Sequence, residues 1–220
     1  MSRTRVTRMI ARNLLFLCVG AIACSAPAVF GENIEIFSRQ NDFLPGWRVS
    51  GFGGITARVE DAEGGMVITT TVAPDAADYS GITLRYGGAN SSSGGDAIAL
   101  TGEMKNANVS IELNTPKPPE GTPAPTAAAR LQISMLVRLA AGGSRTLQIA
   151  GEELIGLTHA TLDADTATWE TVRVPMQSFL KRLEPSDEAE YIEGIFVQFA
   201  PKPNQPFEVG NVTISDAPAQ

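Results

Sequence analysis

The side chains able to do chemistry are few, and their spacing argues against most catalysis. His159 is the only histidine in the 220-residue chain. A Ser-His-Asp triad would have to be built around it, and no nucleophile elbow accompanies it. Both cysteines, Cys18 and Cys24, fall in the first 24 residues, so the rest of the chain has one imidazole and no thiol to offer a zinc ion. Carboxylates are plentiful, and two of them facing each other could hydrolyse a glycosidic bond. The clusters are Asp61 with Glu63, Glu152 with Glu153, Asp163 with Asp165, and Asp187 with Glu188 and Glu190. They stand in turn-like contexts, where a solvated acidic surface accounts for them. Asp163-Ala164-Asp165 lacks the remainder of a calcium loop, and Gly51-Phe52-Gly53-Gly54 neither ends a long strand nor opens a helix as a nucleotide fingerprint does. No catalytic residue, metal ligand or cofactor is assigned.

Binding chemistry is better represented. Sugars are held by aromatic faces that stack on the ring and by polar side chains that read its hydroxyls. Trp47, Tyr79 and Tyr86 are the candidate platforms, with Asp78, Arg85 and Asn90 as polar neighbours. The phenylalanines read mostly as core. The competing reading of the three platforms is core or edge packing, and the scarcity of aromatics weighs against a strong polysaccharide binder.

The elements that must position these residues are short strands. Met66–Val72 is rich in β-branched residues and follows a Gly-Gly turn. Ile82–Tyr86 and Val109–Leu113 alternate apolar and polar. In Leu131–Leu139 the odd positions form one apolar face, the period-2 pattern of a half-buried strand. Arg145–Ala150, Glu170–Val174, Ile192–Phe199 and Phe207–Ile214 complete the set. One helix is predicted from Pro175, with Met176, Phe179, Leu180 and Leu183 at helical spacing over two turns. Strands do not alternate with helices, so the expectation is an all-β antiparallel sandwich or barrel. Gly87–Asp96 and the Pro-rich Asn114–Ala129 read as long loops.

The C-terminal third narrows this. Trp169-Glu170-Thr171-Val172-Arg173-Val174-Pro175-Met176-Gln177-Ser178-Phe179 resembles the W-x-x-v-x-v-P-x-x-x-F segment of galactose-binding-like β-sandwiches. That superfold includes carbohydrate-binding modules and the complex I intermediate-associated family. Ile192–Phe199 and Phe207–Ile214 are similar to its last two strands. Trp47–Gly54 and Tyr79–Tyr86 are similar to the early part of the intermediate-associated family. The resemblance covers residues 34–215 and implies a jelly-roll β-sandwich with one short helix. Trp169 and Phe179 are expected to fill the core at one corner. Some members bind a structural calcium through an Asp near the last strand; Gly210 stands there, so the site is not carried over, although Glu208 or Glu35 could substitute.

The N-terminus carries Arg3, Arg5, Arg8 and Arg12 with no acid, then an apolar run from Leu14 to Cys24. That run has the length of a signal-peptide core and falls short of the roughly 20 residues that span a bilayer. Cleavage after Gly31 would make residues 1–31 a signal peptide and leave 32–220 as one domain, and Ala28 is the other acceptable cleavage point. Ala21-Ile22-Ala23-Cys24 also resembles a bacterial lipobox, which would end the leader at 23 and lipidate Cys24. The expected location is secreted or periplasmic, or else lipid-anchored at the cell envelope. Loss of residues 1–31 removes four Arg and takes the net charge from −7 to −11. Such a domain repels nucleic acid and anionic membrane surfaces. The leading expectation is an exported, non-catalytic module that binds carbohydrate or another envelope ligand. The alternatives are a structural or assembly protein that holds an envelope protein partner, and a carboxylate-dependent hydrolase.

Overall fold

The computed structural model describes residues 33–87, 97–114, 130–149, 151, 153–154, 169–200 and 206–215. The predicted loops, Asn90, His159, Glu152, Asp163, Asp165 and the whole leader with Cys24 lie outside them, apart from the loop ends at Gly87 and Asn114.

Thirteen strands are described: β1 (Ile34–Ser38), β2 (Asp42–Phe43), β3 (Trp47–Phe52), β4 (Ile55–Ala62), β5 (Gly65–Val72), β6 (Ser80–Tyr86), β7 (Ile98–Ala99), β8 (Asn108–Asn114), β9 (Arg130–Leu139), β10 (Ser144–Ile149), β11 (Glu170–Pro175), β12 (Ala189–Ala200) and β13 (Glu208–Ser215). They form two sheets, and every pairing is antiparallel. Sheet A runs β11-β8-β13-β1-β2, with the β4–β5 hairpin joined to β13 through β5. Sheet B runs β10-β9-β12-β6-β3, with β7 beside β12. This is a β-sandwich, as the strand alternation predicts.

Alternation decides which side chains meet between the sheets. Val109, Ile111 and Leu113 of β8 are buried while Ser110 and Glu112 face outward. On β9 Leu131, Ile133, Met135, Val137 and Leu139 point inward, the same odd set that the sequence marks as apolar. One continuous core joins both sheets. One of its buried polar residues is paired across strands: Thr70 Oγ1 donates to the carbonyl of Phe207 (2.7 Å) and accepts from its N–H (2.8 Å), fastening β5 to the start of β13.

The predicted helix is α1 (Met176–Leu180), shorter than the apolar spacing suggests. Pro175 is the last residue of β11 and caps the helix rather than opening it, at φ −58°, ψ 132°. Met176 and Phe179 are buried, and Leu180 and Leu183 pack against the core from the following turn.

Candidate binding face

Three of the six predicted binding residues belong to the exposed part of sheet B, in different degrees. Tyr79 leads into β6 and is 44% exposed. Asp78 beside it is exposed, and Arg85 is half-buried on the outward face of β6. Partial burial raises the Tyr79 phenol above its ordinary value, so the ring stays neutral across the physiological range.

Trp47 corrects the prediction. It is only 4% exposed, lies on the inward face of β3 and belongs to the core. Its ring meets Tyr86 edge-on at 6.5 Å, directly across the β3–β6 pair. Tyr86 is half-buried and packs against the core too. Position parity explains both: Trp47 and Tyr86 share a side with Val49 and Leu84, the opposite side from Arg48 and Arg85.

The face itself is composed largely of residues that sequence reasoning assigned to the core. Phe52 ends β3 on the outward side, 6.2 Å from the Tyr79 ring and 6.4 Å from the Phe196 ring. Both phenylalanines are half-buried. The parity of β12 held the signal for Phe196: Ile195, Val197 and Phe199 point inward, so Phe196 and Gln198 cannot. Across the sheet Phe196 stands between Thr83 of β6 and Ser134 of β9, and Gln198 between Gly81 and Gln132.

Two details give this surface a relief. A Cβ at Gly81 would lie 2.2 Å from the Val197 carbonyl oxygen and 2.8 Å from Gln198 Cα, so no side chain can rise between Phe52 and Gln198. Gln198 is 3% exposed and donates to Ser134 Oγ at 2.8 Å, while its carbonyl oxygen is buried without a partner.

Charge is distributed unevenly over the same face. Arg138 of β9 has an acid, Glu193 at 3.6 Å, and lies over the Tyr191 ring at 4.2 Å. Arg48 and Arg85 stand directly opposite each other on β3 and β6. Among the described residues neither has a hydrogen bond or ion pair.

The outer face of sheet A is a polar groove of about 400 Å³. Trp169, expected in the core, is 37% exposed here, and the Arg39 guanidinium lies over its ring at 3.8 Å. Phe179, its predicted companion, is fully buried. Glu112 accepts from the backbone N–H of Asn211 (3.2 Å) and from its side-chain amide (3.0 Å), and faces Arg39 Nε at 3.6 Å. Asn211 in turn accepts the Arg39 N–H at 2.9 Å. A Cβ at Gly210 would lie 2.7 Å from the Glu112 carboxylate and 2.9 Å from Arg39 Nε. The glycine at this position thus gives room to an ion pair. Glu208 is used locally as well, accepting from the Asn114 amide at 2.8 Å, and Glu35 accepts from the Asn41 amide at 3.1 Å.

The acidic clusters are surface features where they are described. Asp61 and Glu63 are exposed at the β4–β5 hairpin. Asp187 pairs with Arg145 at 3.4 Å, Glu188 with Lys105 at 3.7 Å, and Glu153 with Arg182. No group of three potential metal-ligating side chains occurs among the described residues.

No protein-family model matches the sequence, and no curated protein matches it. Solved structures do match in fold. A family 30 carbohydrate-binding module aligns with a TM-score of 0.54 at 12% identity, covering 84% of this chain and 99% of the other. The family 30 module of the cellulosomal cellulase Cel9D-Cel44B of Clostridium thermocellum aligns equally well, at 13% identity over 86% and 99% of the two chains. The fold is the jelly-roll β-sandwich of these modules. That supports the sandwich implied by the sequence resemblance and says nothing of the complex I intermediate-associated family.

Proposed function

We propose that the chain is a non-catalytic carbohydrate-binding module and that its ligand lies across the outer face of sheet B. The observation that carries this reading is the half-open Phe52–Tyr79–Phe196 cluster on the outer face of sheet B. Aromatic rings give a sugar a surface to stack on. Ser50 adds an exposed hydroxyl on β3, opposite Thr83, the β6 neighbour of Phe196. The sandwich shared with family 30 modules is consistent with this use of a sheet face.

Binding of oligosaccharides by calorimetry or affinity electrophoresis tests the proposal. Phe196→Ala should weaken binding at least about tenfold, the loss of roughly 1.4 kcal/mol, with an unchanged near-native melting transition. Retained affinity in a folded Phe196→Ala protein would move the site elsewhere.

The proposal includes export. The basic start and short apolar run support a leader that delivers the module outside the cytoplasm. Intact mass of the protein from its native host distinguishes a chain beginning after Ala28 or Gly31 from one beginning at lipidated Cys24; a full-length cytoplasmic chain would overturn it.

A further inference from the structure

Arg48 and Arg85 point to the class of sugar. Residues directly opposite on an antiparallel pair have Cβ atoms about 4.5–5.5 Å apart, and like charges there repel. The chain carries a net charge of −7, so acids to neutralise such a pair are abundant. Arg39, Arg138, Arg145 and Arg182 all have one. Arg48 and Arg85 have none among the described residues; Arg58 and Arg173 also lack one, but only Arg48 and Arg85 stand directly opposite each other, on a face shared with the aromatic cluster.

Register places the pair within reach of a stacked ligand. Arg85 is opposite Gly194, two residues before Phe196. That makes Arg85 and Phe196 diagonal neighbours, about 7–8 Å apart and within reach of long side chains. Gly194 puts no side chain between Arg85 and the β9 strand. Along β3, Arg48 is four residues from Phe52, about 13 Å at strand rise, a distance a short oligosaccharide spans. A sugar ring on Phe196 would therefore direct its substituents toward two guanidinium groups. Guanidinium forks bind carboxylate and sulfate oxygens in pairs and stay charged at any working pH.

We infer that the ligand of this face is an acidic glycan, whose carboxylate or sulfate ester is held by Arg48 and Arg85 while a ring stacks on Phe196. The inference rests on the carbohydrate-binding reading above and adds the charge of the sugar to it. The anion removes the repulsion between the two arginines, so it binds a charge arrangement that the free protein holds at a cost.

Calorimetry on the purified protein with linear uronate oligosaccharides, the same chains after carboxyl reduction, and sulfated oligosaccharides with their desulfated forms tests it. At least one acidic oligosaccharide should bind at least tenfold more tightly than its neutral counterpart, and more weakly as salt is raised. A preference lost on carboxyl reduction identifies a uronate; one lost on desulfation identifies a sulfate ester. Arg85→Gln should lose that preference while melting at the same temperature or higher. Arg173→Gln, which removes the same charge from the outer face of sheet A, should retain it. Equal or tighter binding of the neutral forms would overturn the inference and leave the carbohydrate reading standing, as would an acidic preference that survives Arg85→Gln. Binding of none of these oligosaccharides, acidic or neutral, would overturn both.

Discussion

The two outer faces of the sandwich arise from the same strand alternation and end in opposite states. On sheet A, Glu112 and Asn211 are hydrogen-bonded, the Arg39 guanidinium forms an ion pair with Glu112, and it covers the one exposed tryptophan. On sheet B, two arginines confront each other, three aromatic rings stay partly open, and a buried glutamine keeps a vacant acceptor. Folded proteins pair nearly all the polar groups they bury. Sheet A ties most of its outward polar groups to one another, whereas sheet B leaves an aromatic cluster and a like-charged pair on its outer face.

The largest expected effect separates β3 into its two sides. Trp47→Ala removes a core indole, and substitutions of this kind cost about 3–5 kcal/mol. A domain of this size should then melt roughly 10 °C lower. Oligosaccharide affinity, measured below the transition, should stay within about threefold of the parent, because the ring that is lost faces inward. A Trp47→Ala protein that is stable but fails to bind would return Trp47 to the site and break the distinction between faces.

A smaller effect tests the closed network. Glu112→Ala leaves the Asn211 amides and Arg39 without their acceptor, and an abandoned polar group costs about 1–3 kcal/mol. The Glu112 side chain is 31% exposed, so water offsets part of that and the lower end is expected. Denaturant unfolding should show the loss, and oligosaccharide binding should not change. If binding fell with Glu112→Ala, the groove of sheet A would join the site.

How much of this was legible beforehand follows from parity. The eight predicted strands correspond to β5, β6 and β8–β13. β1, β2, β3, β4 and β7 went unmarked; β2 and β7 are two-residue strands that carry no period at all, whereas the alternation of β3 and β4 was there to be read. Arg85 fell on the right face because its neighbours Ile82 and Leu84 fix the parity of β6. Trp47 has the size of a stacking platform but the inward parity of Val49, while Phe52 and Phe196 have the size of core residues but outward parity. Trp169 shows a different obstacle. Only the approach of Arg39 from the end of β1, more than a hundred residues away in sequence, makes an exposed tryptophan at this corner acceptable. The confrontation of Arg48 with Arg85 is likewise a fact of pairing, invisible until the β3–β6 register is known.

The subtlest expected effect concerns Tyr79, the aromatic most open to solvent. Desolvation raises its pKa above the ordinary 10.0, because burial disfavours the phenolate. A group whose folded value exceeds its unfolded one contributes stability that is complete below the unfolded value and is lost as pH rises through the folded one. Stability should therefore be insensitive to this group up to about pH 9, and part of the decline above about pH 10 should belong to it. Other side chains titrate in the same range, so the measurement is a difference between the parent and Tyr79→Phe, whose ring cannot ionise. Tyr79→Phe should decline less steeply in alkali and keep most of its affinity for sugar at neutral pH, whereas Tyr79→Ala should lose affinity. If phenylalanine fails as badly as alanine, the hydroxyl is the contact and the ring is not a platform. The aromatic surface of sheet B would then be reduced to Phe52 and Phe196.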